Sequence, residues 1–140
     1  MSALQLRIIV VVDVVAALAA GTLDGAVWLV DSNKTAGSTN EGTRQLKTAV
    51  SKGDELIWTT MSLECEAFAA IESIEIDPAY CEIERGVFDG TDVRYWHGRI
   101  KKDPGSSVIH YNVVFKLGSR PEAMSMSGPS LPAITGGRTN

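Results

Sequence analysis

The chain has 140 residues, 44% of them hydrophobic and 21% charged, with a formal net charge of −4. That length and balance describe one ordinary globular domain whose core needs no metal or disulfide framework, and they exclude a disordered chain. Lys and Arg are scattered rather than clustered, which argues against nucleic acid or an anionic membrane as the main partner, since both are held by concentrated positive charge.

The first element to place is LRIIVVVDVVAALAAG, residues 6–21. A secretory signal needs a basic start, an uninterrupted apolar run and a small-residue cleavage site. Ala17-Leu18-Ala19 imitates the last, but Arg7 is the only early basic residue and Asp13 interrupts the run. A carboxylate at the centre of an inserted helix costs roughly 2.5–3.5 kcal/mol, and Ile8 to Ala20 falls short of the ~20 residues of a membrane span. The β-branched residues from Ile8 to Val12, with Val14 and Val15, instead predict a strand buried on both faces. Asp13 would lie near its end, and Ala16–Ala20 would add at most one helical turn before Gly21. The segment is expected to remain in a cytoplasmic protein. In that reducing compartment Cys65 and Cys81 are expected as buried free thiols, with a Cys65–Cys81 bridge as the alternative. No CxxC or CxxH spacing points to zinc.

Short strands cut by turn residues follow. Ala26 to Asp31 is a second apolar strand, and DSNKTAGSTNEG (31–42) a long polar loop. Gln45–Val50 and Glu55–Met61 flank Ser51-Lys52-Gly53-Asp54 as a hairpin. Phe68–Ile76 is a strand ended by Asp77-Pro78, and Cys81–Val87 another ended by Phe88-Asp89-Gly90. Val93–Ile100 and Val108–Leu117 surround KKDPGSS as a second hairpin, with Ile109, Tyr111, Val113, Phe115 and Leu117 alternating onto one face. Met124 and Met126 alternate once more. The pattern predicts an all-β domain over 1–127, an antiparallel β-sandwich of jelly-roll or Ig-like type with seven or eight strands, and a loosely structured tail over 128–140.

Two constellations offer chemistry. The strands ending in VVD and LVD would bring Asp13 and Asp31 to one end of a sheet. With Asn33 and loop carbonyls they would form a hard-oxygen site for calcium or sugar hydroxyls. Alternatively both carboxylates cap turns. In the late hairpin His97 and His110 would share an exposed face beside Arg99, a pair able to hold a transition metal or sense pH. The alternative is an ordinary polar face. Trp28, Trp58 and Trp96 are either core residues or a sugar-stacking platform. No GxSxG, HExxH or comparable motif occurs, and Cys65 lies between glutamates that would raise its pKa. No catalytic residue and no cofactor is expected; the ligand-binding candidates are Asp13, Asp31, Asn33, Trp96, His97, Arg99 and His110.

The order of several short motifs resembles the PixA/AidA family of bacterial inclusion-body proteins. These are IVVVDVVAALAAGTLDGAVWLVDSN, then NEGTRQLKTAVSKGDELIWTTMSL, then Tyr95-Trp96-His97-Gly98-Arg99. The resemblance runs from residue 8 to about 126 and implies a compact β-sandwich that accumulates in the cell, with density-dependent expression and host interaction. It brings no catalytic residue. Where the family closes on an Asp-Pro-Phe-like ending, this chain reads MSMSGPSLP, and it lacks the methionine richness of one branch. The expectation is a non-enzymatic, self-associating homo-oligomer of inclusion-body type; the alternative is a lectin-like or metal-assisted module for a glycan or small ligand.

Overall fold

The valine-rich run forms a strand and then breaks. β1 (Gln5–Val12) buries Leu6, Ile8, Val10 and Val12 and leaves Gln5, Arg7 and Ile9 exposed, so it is covered on one face and not on both. Val14 and Val15, expected in the strand, open the helix α1 (Val14–Ala20). Asp13 causes the switch. Its carboxylate accepts the Ala16 N–H at 3.0 Å, satisfying a donor that a helix start leaves unpaired. The alanines that follow outweigh the weak helix propensity of two valines. Gly21 closes α1 at φ +73°, donating its N–H to the Ala17 carbonyl at 2.9 Å, a conformation that glycine adopts without strain.

A computed structural model describes residues 4–32, 37–64, 66–87, 89–91, 94–126 and 131–136. Its remaining elements are β2 (Val27–Asp31), β3 (Lys47–Ala49), β4 (Glu55–Ser62), β5 (Ala69–Glu75), β6 (Cys81–Val87), β7 (Arg94–Ile100), β8 (Val108–His110), β9 (Asn112–Leu117), β10 (Met124–Ser125) and β11 (Ala133–Thr135). They build a five-stranded sheet in the order β2-β1-β4-β7-β6 and two three-stranded sheets, β10-β9-β5 and β3-β11-β8. The protein is mostly β, as its composition and turns predict. Eleven strands are present among the described residues rather than seven or eight, and the sheets are not purely antiparallel. β1 pairs with β4 in parallel, as does β11 with β3.

Neither expected hairpin forms. The turn at 51–54 carries the chain from β3 to β4, which belong to different sheets. It is held by the fully buried Asp54, whose carboxylate accepts the N–H groups of Leu4 at 3.0 Å and Ser51 at 2.9 Å. KKDPGSS likewise takes the chain out of β7 into other sheets. Strands with one apolar face bury it best against a facing layer, and a hairpin would set both faces side by side in one layer. The alternation at 109–117 holds: Tyr111, Val113, Phe115 and Leu117 are at most 1% exposed. It is cut into β8 and β9 at Tyr111, whose N–H donates to the Pro132 carbonyl. Residues 133–135, expected in a loose tail, form β11 between β3 and β8, with Ala133 and Ile134 fully buried. A single apolar cluster, including Ile8, Val10, Leu29, Trp58, Tyr111, Phe115, Met126 and Ile134, joins the three sheets.

Candidate functional site

The antiparallel pairing of β1 with β2 sets Ile8 opposite Asp31 and Val12 opposite Val27. The C-terminal ends of the two strands therefore point in opposite directions. Asp13 lies five residues beyond the partner of Asp31, about 16 Å along the sheet at some 3.3 Å per residue, and the expected pair of converging carboxylates does not form. Asp13 caps α1 beside Glu64, whose Oε1 accepts the Val14 N–H at 3.0 Å. The Ala16 N–H, and then a hydrogen bond with the Glu64 side chain, hold the Asp13 carboxyl below its usual range. Asp31 accepts the Thr48 hydroxyl at 2.7 Å, while its backbone N–H donates to Glu41 at 2.9 Å. The Asp13 carboxylate thus caps a helix start, whereas that of Asp31 links β2 to the Thr48 side chain on β3. Asn33 lies outside the described residues.

The two imidazoles are also separated, because β7 and β8 lie in different sheets. His97 sits in β7 with its Nε2 3.7 Å from a Glu55 carboxylate oxygen. His110 sits in β8 with its Nδ1 3.4 Å from the Leu131 carbonyl. Arg99 is exposed, in register between Glu55 and Glu82. Trp96 donates its indole N–H to the Ile71 carbonyl at 3.0 Å, and the Arg85 guanidinium lies 5.7 Å from its ring centroid. The indole therefore ties β7 to β5. Trp58 is wholly buried and Trp28 half-buried. Among the described residues no three His, Cys, Asp or Glu side chains come together as a metal would require.

An open groove of about 520 Å³ lies between β5 and β6, lined by Ile74, Ile76, Pro78 and Ile83 and by the charged Glu75, Glu82 and Lys101. Its signal in the sequence is faint: Asp77-Pro78 marks a turn, but not that the strands on either side part into different sheets. Cys81 lines it as a buried free thiol, 1% exposed. Burial, and then the charge of Glu82, push that thiol up to about 12, which makes it a poor nucleophile. Cys65 lies outside the described residues.

The arrangement of strands is similar to that in the crystal structure of the inclusion body protein PixA from Burkholderia cenocepacia J2315. The TM-score is 0.71 at 14% identity, over 99% of this chain and 96% of that one. The motif order that resembles the PixA/AidA family therefore accompanies a shared fold. None of the curated proteins matches the chain. Residues 4–122 match the model of a domain of unknown function, DUF8788, and the chain belongs to that family.

Proposed function

We propose that this chain is a non-enzymatic β-sandwich protein that associates with itself in the cytoplasm and accumulates as inclusion-type bodies, in the service of density-dependent physiology or host interaction. The observation that carries the reading is the fold shared with the PixA inclusion body protein across nearly the whole chain. It is supported by the local duties of the candidate residues, since Asp13, Asp31 and Trp96 spend their polar groups on backbone and neighbouring side chains. Light scattering over a concentration series tests it. Mass that rises with concentration is the expected result, and a monomer throughout would overturn the reading.

A second reading, capture of a small ligand, is favoured by one observation: the isoleucine-lined groove between β5 and β6. Its ligand would be a small, largely apolar molecule. Melting raised by such a ligand and left unchanged in Ile83→Asp would support it.

A further inference from the structure

The fold covers or shortens most of its sheet edges and leaves one open. On β2 the Leu29 N–H donates to the Thr43 carbonyl at 3.1 Å, and the Leu29 carbonyl accepts the Gly42 N–H at 2.8 Å. On β3, Lys47 and Thr39 exchange two backbone bonds of 3.0 Å. β8 and β10 have three and two residues. β5 is broken by a bulge between Ile71 and Ser73, and its Ile71 carbonyl accepts the Trp96 indole. β6 has seven residues and ends the five-stranded sheet, with β7 as its only strand partner among the described residues. The Lys101 N–H donates to the Tyr80 carbonyl at 2.8 Å. In the antiparallel register of β6 and β7, that bond gives Glu82, Glu84 and Gly86 to β7 and turns the backbone N–H and C=O groups of Ile83 and Arg85 outward. These groups recur about 7 Å apart along the edge, a spacing that another extended backbone matches.

The side chains point to the occupant. On the outer face the register sets Glu55, Arg99 and Glu82 in one row across β4, β7 and β6, and Ile57, His97 and Glu84 in the next. Charge alternates across the first row, and both rows end on an exposed carboxylate. A further strand therefore continues them best with one cation opposite Glu82 and another opposite Glu84. On the inner face Ile83 lines the groove with Ile74 and Ile76. A side chain set opposite Ile83 points inward with it, so that position calls for an apolar residue. A second copy of β6 does not supply this pattern. Antiparallel registers centred on Ile83, Glu84 or Arg85 set Glu82 against Glu84, Glu84 against itself or Arg85 against itself, and like charges directly opposite disfavour pairing.

We propose that the open edge of β6 takes up an antiparallel strand from a partner protein, an extended segment in which basic and apolar residues alternate. Its cations lie against Glu82 and Glu84, and the apolar side chain between them sits over Ile83. The inference does not rest on self-association. It shares its groove with the small-ligand reading, and the choice of probes separates the two. The probes are dye-labelled heptapeptides in which isoleucine alternates with lysine or with glutamate. A third is the lysine peptide N-methylated at its isoleucines, whose N–H groups would pair with Ile83 and Arg85. Fluorescence anisotropy of the full chain at low salt should show the lysine peptide bound and the glutamate peptide about fivefold weaker or more, with that order reversed in Glu82→Lys/Glu84→Lys. N-Methylation should abolish binding. Amide hydrogen exchange at Ile83 and Arg85, fast in the free chain, should slow when the lysine peptide is bound. Equal binding of the methylated peptide would overturn strand addition and leave an apolar guest in the groove standing. Lysine and glutamate peptides bound alike, or neither bound, would overturn it too.

Discussion

The indole N–H of Trp58 donates to the phenol oxygen of Tyr111 at 3.2 Å, with the rings edge-on, their centroids 5.5 Å apart and their planes at 73°. It is a polar bond inside the core, joining β4 of the five-stranded sheet to the junction of β8 and β9. Burial pushes the Tyr111 phenol up from its usual pKa, offset in part by the indole bond, so the phenol stays neutral at any ordinary pH. Tyr111→Phe would keep the ring and leave a buried N–H without its acceptor. The expected loss is about 1–3 kcal/mol in urea unfolding. In the cycle with Trp58→Phe, the double variant should lose less than the sum of the two singles.

Gly98 lies in β7 against that same tryptophan. A Cβ there would come within 2.7 Å of both Cys81 Sγ and the Trp58 ring, neither of which has room to withdraw. Gly98→Ala is expected to cost about 1–3 kcal/mol through overpacking. Gly86→Ala makes the contrast: the three atoms nearest its Cβ, at 2.3 Å and beyond, all belong to the far end of the half-buried Tyr95 side chain rather than to packed core atoms. Thermal melting should rank Gly98→Ala well below Gly86→Ala.

Asp13 makes the α1 cap dependent on pH. Its pKa is depressed in the folded chain, so the cap contributes fully above the ordinary value of 3.8 and is lost as pH falls through the lower folded value. Asp13→Ala should melt below wild type at neutral pH, with Asp13→Asn in between or equal to wild type. The gap between Asp13→Ala and wild type should close as the solution is acidified below that point.

Cys81 has the opposite sign. Its thiol is raised from 9.0 to about 12, so the stabilisation tied to the neutral form is complete below pH 9 and drains away as pH climbs toward 12. In a Cys65→Ser background at pH 8, the native thiol should react with a chromogenic disulfide reagent roughly a thousandfold more slowly than the unfolded chain, in line with its thiolate fraction. A rate equal to that of the unfolded chain would mean that Cys81 is not enclosed.

Local physics made the elements legible. β-Branched runs, Gly and Pro punctuation, and the alternation from Ile109 to Leu117 mark β2, β4, β5, β6, β7 and β9 to within a residue or two at most ends, because these signals act between chain neighbours. Asp13 is legible in the sequence as a turn cap, but the helix it starts at Val14 and Val15 is not, because two β-branched residues there read as strand. Pairing was not visible. β1 beside β4, and β11 between β3 and β8, follow from which distant apolar faces close the core together, and no short window of sequence contains that information. The candidate sites dissolved for the same reason. VVD and LVD read as equivalent strand ends, yet antiparallel pairing sends Asp13 and Asp31 to opposite ends, and the sheet change after β7 parts His97 from His110. The sequence by itself determined where the chain extends, turns and caps; the tertiary structure alone decided which side chains meet, because burial is shared between segments far apart in the chain.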